Sequence, residues 1–179
     1  SGARIDYWVG SVFASVLNNN PDVHVISFDA DIFFRKKFWK LPGLVFALRQ
    51  EKYDQIFVLD RHWIFGLVAF LAGIPIRIGF DRTGEGVFHT KKVSYGKRLH
   101  EMDYYLKLAG LVGCSSADKR LRLFLSSAEK NKGEEIVKRF GLENAVAIAP
   151  GGAKNPGQDM PSRRWPAERF GEAAKIISK

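Results

Sequence analysis

Apolar runs of strand length alternate with amphipathic runs of helix length along this chain. Ile5-Asp6-Tyr7-Trp8-Val9 is rich in β formers, and Gly10-Ser11 offers a turn and an N-cap for a helix through Leu17. Asn18 to Asp22 is a turn signal, followed by strand composition from Val23 to Phe28. Pro42 suits the first turn of a helix carrying Leu44, Val45, Phe46 and Leu48. Ile56-Phe57-Val58-Leu59 is continuously apolar, as in a strand buried on both faces. A helix is expected over Trp63–Ala72 with Gly73 as its stop, then a strand over Ile76–Phe80 and a loop over Asp81–Phe88. Another helix is expected from about His100, and the capping box Ser126-Ser127-Ala128-Glu129 opens one that stops at Gly141. Ala145–Ala149 reads as a strand, and Pro166–Lys179 as a helix with Phe170, Ala173, Ala174 and Ile177 on one face.

This alternation predicts an α/β fold, a parallel sheet with helices on both sides. Ligands in such sheets bind past the carboxyl ends of the strands, so the loops after strands are where chemistry is sought. The closing unit, Ala145–Lys179, reads equally as the last of one sheet or the first of a second.

Composition narrows the class. A length of 179 residues suits one domain, or one with part of another, and 46% hydrophobic content excludes a disordered chain. A single cysteine, Cys114, excludes an internal disulfide and a cysteine-rich zinc site, and points to a reducing compartment. No secretory signal opens the sequence. The most apolar stretch, Trp63–Ile76, is shorter than the roughly 20 residues of a membrane-spanning helix, and Gly66, Gly73 and Pro75 interrupt it. The formal charge of +9 favours anionic partners: phosphates, nucleic acid or an acidic membrane face.

The segment with most chemical content runs from Ala147-Ile148-Ala149 into Pro150-Gly151-Gly152-Ala153, and later into Arg163-Arg164-Trp165-Pro166-Ala167-Glu168. A strand ending in small residues lets backbone N–H groups approach an anion. The arginine pair precedes a helix start, which adds partial positive charge. Together they describe a phosphate or diphosphate site. The alternative is an ordinary connection whose glycines only make the turn.

Those residues resemble glycosyltransferase family 9, the ADP-heptose:lipopolysaccharide heptosyltransferases. The Pro-Gly-Gly-Ala turn, then a basic residue, any residue, Trp-Pro and an acidic residue, is seen as Arg163-Arg164-Trp165-Pro166 with Glu168. Tyr53-Asp54 before the strand, Leu71–Ile74, Arg77-Ile78-Gly79-Phe80, and His100-Glu101-Met102-Asp103 follow the family in order. The resemblance implies a GT-B arrangement of two Rossmann-like domains. Residues 1–142 would be the acceptor-side domain lacking its first strand and loop, and 143–179 the opening strand–loop–helix of the donor domain. It also implies an inverting, metal-independent transfer from a nucleotide-diphosphate sugar such as ADP-heptose to lipopolysaccharide core or a related cell-surface saccharide. The enzyme would be cytoplasmic and peripheral at the inner membrane.

By that resemblance Pro150, Gly151, Gly152 and Ala153 offer backbone groups to the donor diphosphate, and Arg163 and Arg164 neutralise it. Arg163 stands where the family usually carries lysine; a guanidinium offers a bidentate fork instead of a point charge. Trp165 reads as a packing residue. The family's general base is an aspartate in a Gly-Asp loop after its first strand, which is expected to lie outside this chain. Asp6, Asp29, Asp31, Asp60 and Asp81 do not match it, so no catalytic residue is assigned and the chain by itself is expected to lack turnover.

The run Arg35-Lys36-Lys37-Phe38-Trp39-Lys40 interleaves four cations with two aromatics. Arg35, Lys36, Lys37 and Lys40 are candidates to contact an acidic lipid-linked acceptor or its membrane, against the plainer reading of a solvated loop. Lys91, Lys92, Lys97 and Arg98 form a second basic set. His24, His62, His89 and His100 lack metal-ligand spacing, so structural roles are expected and no metal site is assigned. Ser126 and Ser127 read as a cap, Cys114 as a loop thiol, and Gly84-Glu85-Gly86 lacks the third glycine of a dinucleotide fingerprint. Two rivals remain at this stage: another nucleotide-sugar enzyme on the same fold, such as an epimerase, and a basic nucleic-acid-binding module. An incomplete donor domain leaves apolar surface to cover, so self-association is expected.

Overall fold

The computed structural model describes residues 2–96, 99–115, 119–149, 154–155, 158–159, 161 and 164–178. The chain divides into two units, Ser1–Lys36 with Leu123–Lys179, and Lys37–Arg122.

In the first unit β1 (Asp6–Gly10) pairs in parallel with β2 (His24–Phe28), Asp6 standing opposite His24 and Gly10 opposite Phe28. The helix expected after β1 is a 3-10 segment, Ser11–Val16, that starts from Gly10 without a side-chain cap. Two β-branched valines and no cap in a stretch this short explain why it winds no further into an α-helix. One α-helical turn, α1 (Asp31–Phe34), follows β2.

Helices α2 (Leu41–Gln50), α3 (Trp63–Leu71) and α4 (Glu101–Gly110) belong to the second unit, with β3 (Gln55–Val58), β4 (Ile76–Asp81) and β5 (Lys91–Ser94). The three strands form one parallel sheet in the order β3-β4-β5. Strand β4 is central, and its alternate residues Ile78 and Phe80 are almost fully buried against Tyr104 and Leu108 of α4. Phe80 and Tyr104 meet edge-to-face with ring centroids 6.1 Å apart, a favoured aromatic geometry. Helix α3 ends at Gly73, whose φ of +80° is the left-handed conformation a glycine stop supplies. Strand β5 was not anticipated: Lys91-Lys92-Val93-Ser94 contains one apolar residue, and lysines on an outer strand discourage further pairing.

The sequence returns to the first unit with α5 (Ser127–Phe140), opened by the expected capping box. Ser126 Oγ accepts the Glu129 N–H at 3.2 Å, and the Glu129 carboxylate accepts the Ser126 N–H at 2.7 Å. Asn19 Nδ2 donates to the same carboxylate at 2.8 Å, tying the turn before β2 to the start of α5. Gly141 closes the helix with φ +60°.

Residues Ala145–Ala149 make no sheet pairing, contrary to the strand expected there. A lone apolar segment has no ladder to join, and Val146 and Ile148 are exposed. A two-residue antiparallel pair, β6 (Lys154–Asn155) with β7 (Gln158–Asp159), and helix α6 (Ala167–Ile177) complete the described elements. On α6, Phe170, Ala173 and Ala174 are half-buried, whereas Ile177 is exposed. Beyond Leu108 none of the described residues is buried. Among the described residues no helix is long and apolar enough to cross a membrane.

Candidate functional site

The carboxyl ends of β3, β4 and β5 place three loops side by side, where a parallel sheet presents its ligand-facing residues. Arg61, just after β3, reaches Glu101 at the start of α4 as an ion pair and hydrogen bond. Tyr95, just after β5, donates its hydroxyl to the same Glu101 Oε1 at 2.6 Å. The Arg61 guanidinium carbon lies 3.9 Å from the Tyr95 ring centroid, so the cation is stacked as well as paired. The tyrosine and arginine hydrogen bonds hold the Glu101 carboxyl below the usual carboxylate range, and the same bond raises the Tyr95 phenol. The result is a fixed guanidinium at the mouth of the sheet, assembled from residues 40 positions apart.

A second group lies after β4. Asp81 accepts from Lys92 Nζ of β5 at 2.8 Å and from the Gly84 N–H at 2.9 Å. These bonds, the lysine's foremost, lower its pKa. Glu85 accepts from the Thr83 N–H at 2.7 Å and from the Thr83 hydroxyl at 3.0 Å. The loop containing Gly84-Glu85-Gly86 is thus closed on its own side chains, and its Gly84 amide is engaged by Asp81.

Two histidines begin the helices beside these loops. His62 Nδ1 accepts the Ile64 N–H at 3.3 Å at the start of α3, and His100 Nδ1 accepts the Met102 N–H at 3.3 Å at the start of α4. Each does what serine or aspartate ordinarily does at an N-cap. His24 contacts Asp6 in the first unit at 3.2 Å. His89 packs against Gly66 and Gly79, and its Nδ1 is buried with no hydrogen-bond partner among the described residues. None of the four approaches a metal-ligand cluster; among the described residues no three His, Cys, Asp or Glu side chains could hold a metal ion.

Of the diphosphate candidates, Pro150, Gly151, Gly152, Ala153 and Arg163 lie outside the described residues. Arg164 is exposed, and its N–H donates to the Pro161 carbonyl at 3.0 Å in the turn leading to α6. Trp165 packs edge-on against Phe170 with centroids 5.0 Å apart, the packing role expected of it. In the basic run, Arg35 pairs with Asp31 at 3.4 Å and Lys36 adopts φ +53°, both in the first unit. Lys37 precedes and Lys40 ends a 3-10 turn, Phe38–Lys40, in the second unit. Of the second basic set, Lys91 Nζ donates to the Leu111 carbonyl at 3.1 Å and Lys92 pairs with Asp81, while Lys97 and Arg98 are outside the described residues. The five aspartates set aside as bases are engaged elsewhere: Asp6 with Arg4 and Asp81 with Lys92, while Asp29, Asp31 and Asp60 serve in turns or pairs beside their own helices.

An open depression of about 440 Å³ lies at the other end of the same sheet, lined by Arg49, Lys52, Tyr53, Asp54, Ile74 and Pro75. It sits where β3 and β4 begin, away from the loops that a parallel sheet offers to ligands.

Sequence reasoning missed the Arg61–Tyr95–Glu101 group; the structural roles expected of His62 and His100 are found, as helix caps that were not named. The caps carried a local signal, since each histidine stands between a strand and the first residue of a helix. Of the arginine group only Glu101 stood in a motif, His100–Asp103, and nothing local linked it to Arg61 or Tyr95.

Comparison with known proteins bears on the same elements. The chain matches E. coli ADP-heptose lipopolysaccharide heptosyltransferase II at a TM-score of 0.65 and 23% identity, over 98% of this chain and 52% of that one. It matches a Veillonella parvula glycosyl transferase family 9 structure at 0.72 and 21%, over 97% and 50%. E. coli heptosyltransferase WaaC, solved with ADP-2-deoxy-2-fluoro heptose, matches at 0.60 and 16%, over 99% and 57%. At these identities the likeness is one of fold, the α/β fold with parallel strands of GT-B heptosyltransferases. The chain spans about half the length of these structures. No curated protein matches the sequence significantly. The family model "Glycosyltransferase family 9 (heptosyltransferase)" matches residues 43–179, from within α2 through α6, and the chain belongs to that family.

Proposed function

We propose that the protein transfers a sugar, of heptose type, from a nucleotide-diphosphate donor to an acidic lipid-linked saccharide such as lipopolysaccharide core, with inversion. The observation that carries this reading is the family match over residues 43–179, which takes in the Pro150–Ala153 turn and the Arg163-Arg164-Trp165-Pro166 signature. A neighbour of the same fold was solved with an ADP-heptose analogue, and by analogy we assign the donor the same class.

In this reading residues 1–142 serve the acceptor and residues 143–179 open the donor domain. An acceptor hydroxyl attacks the anomeric carbon as the bond to the diphosphate oxygen breaks. The hydroxyl proton passes to a general base, and the bonding electron pair leaves on the diphosphate. Backbone N–H groups of Gly151, Gly152 and Ala153 and the guanidinium groups of Arg163 and Arg164 take up the developing charge, with no metal required, and Pro150, which has no N–H to donate, serves only through its ring geometry. Arg35, Lys36, Lys37 and Lys40 face the acidic acceptor at the inner membrane, where the enzyme is peripheral on the cytoplasmic side.

Calorimetry with ADP, before and after Arg163→Ala, tests the anion site. Loss of a charge-assisted bond weakens binding by about tenfold to a hundredfold. Equal binding by the two proteins removes Arg163 from the site, and with it the chemical support for a diphosphate donor.

A further inference from the structure

Tyr95 joins the core to the carboxyl end of the sheet. Its ring centroid lies 5.5 Å from that of Phe80 and 4.1 Å from that of Tyr104, both almost fully buried. The Arg61 guanidinium stacks on the same ring, and the Tyr95 hydroxyl and Arg61 Nη2 both bond Glu101 through one oxygen, Oε1. Glu101 Oε2 accepts no bond, and Arg61 donates no other, among the described residues. The two side chains are 39% and 49% exposed, so both meet solvent. A donor and an acceptor thus stand side by side in the open, held in place by a ring seated in the core.

Arg61 and Glu101 cancel each other's charge, and the carboxylate repels phosphate or sulfate. A hydroxyl both donates and accepts, so two neighbouring hydroxyls of a sugar ring match the pair: one accepts from Arg61 and the other donates to Glu101. Apolar surface follows directly in the sequence. Trp63, the first residue of α3, is 46% exposed, and its ring stacks on that of His62 with centroids 5.8 Å apart and planes 28° apart. His62 is itself fixed by accepting the Ile64 N–H. An exposed indole face gains dispersion contacts and apolar burial against the C–H face of a sugar ring, which a small anion does not offer. Saccharides carry both features, hydroxyls around the rim and C–H groups on the faces. A nucleic-acid base also stacks on an indole, but its phosphates meet the Glu101 carboxylate.

We propose that Arg61, Glu101 and Trp63 form a saccharide subsite at the carboxyl end of this sheet, the ion pair binding neighbouring ring hydroxyls and the indole packing on the ring face. The subsite rests on the reading of a saccharide acceptor and deepens it, naming the groups that grip uncharged sugar rings. Its specificity is for a polyol with an apolar face, independent of any acidic substituent.

Saturation-transfer difference NMR of the full chain with a phosphate-free oligosaccharide of heptose and hexose tests this. Carbon-bound ring protons are expected to receive saturation, and added inorganic phosphate leaves the transfer in place. Trp63→Ala weakens binding about tenfold or more, whereas Trp63→Phe, which keeps an aromatic face, retains most of it. An unchanged circular dichroism spectrum checks the fold of both variants. Glu101→Gln leaves the Arg61 cation without its counter-charge, so inorganic phosphate then competes with the oligosaccharide, an effect that a purely structural Glu101 does not produce. The proposal is overturned by absence of transfer, by equal binding in Trp63→Ala, or by a Glu101→Gln protein that stays indifferent to phosphate. Displacement from the unaltered protein by phosphate or by a single-stranded oligonucleotide overturns it as well. The oligosaccharide carries no diphosphate, so failure here leaves the donor reading standing, and a failed ADP test leaves this subsite standing.

Discussion

The imidazole of His89 occupies the space that a side chain on Gly79 would fill: a β-carbon there would lie 2.3 Å from His89 Nε2. Gly66 of α3 meets the same ring, and a β-carbon on it would lie 3.0 Å from Cε1. The loop after β4 is thereby seated between helix and sheet by one ring and two absent side chains.

Gly79→Ala forces that ring to move and is expected to destabilise the protein by about 1–3 kcal/mol, the range for overpacking a fitted interior. Adding His89→Ala opens the space again. A double-mutant cycle from urea midpoints then shows a coupling of about 0.5–3 kcal/mol between the two positions. Strict additivity would show that ring and backbone do not share this site.

His89 titrates below its usual range because burial disfavours the imidazolium, and Lys92 and Arg77 repel it further while Asp81 partly opposes them. Above about pH 6.5 the ring is neutral in both folded and unfolded chains, so its contribution is whole. As the pH falls below about 6.5 the unfolded chain binds a proton that the folded chain refuses, and stability drops. Urea midpoints are therefore expected to fall between about pH 7.5 and about pH 5.5, and to fall less in His89→Gln. An identical slope in the variant would assign the pH dependence to other groups.

Tyr95 donates to a carboxylate that it would repel once ionised, and this is the first cause of its raised pKa. Glu101→Gln keeps the shape and removes the charge. One of the five tyrosines should then ionise at lower pH, the more so with the Arg61 cation still over its ring. Ultraviolet difference titration reads this directly. No movement in any tyrosine would mean that Tyr95 and Glu101 do not meet in solution.

Leu123, Val146 and Ile176 of the first unit are all exposed. Apolar surface of that kind associates, and light scattering is expected to give a mass that rises with concentration. Leu123→Glu with Ile176→Glu should lower it. A constant monomer mass across concentrations would count against the expectation.

Much of the fold was legible because periodicity follows from burial. Ile56–Leu59 and Ile76–Phe80 read as strands since both lie in a sheet covered by helices, and Ser126 with Glu129 announced a helix start through two hydrogen bonds three residues apart. Lys91–Ser94 escaped notice because an outer strand needs only one apolar side chain, here Val93. Ala145–Ala149 had strand composition without a partner to pair with. The candidate site divides in the same way. Pro150–Ala153 and Arg163-Arg164 carry a local sequence motif, of which only Arg164 lies within the described residues, whereas Arg61 finds Glu101 only because β3 and α4 bring them together.

The two margins of the three-stranded layer differ in kind. Lys91 and Lys92 fringe one side, and Ile56 and Phe57 the other, where β3 has β4 as its sole neighbour among the described residues. Charge at the β5 margin discourages an added strand, and the β3 margin carries no such guard among the described residues.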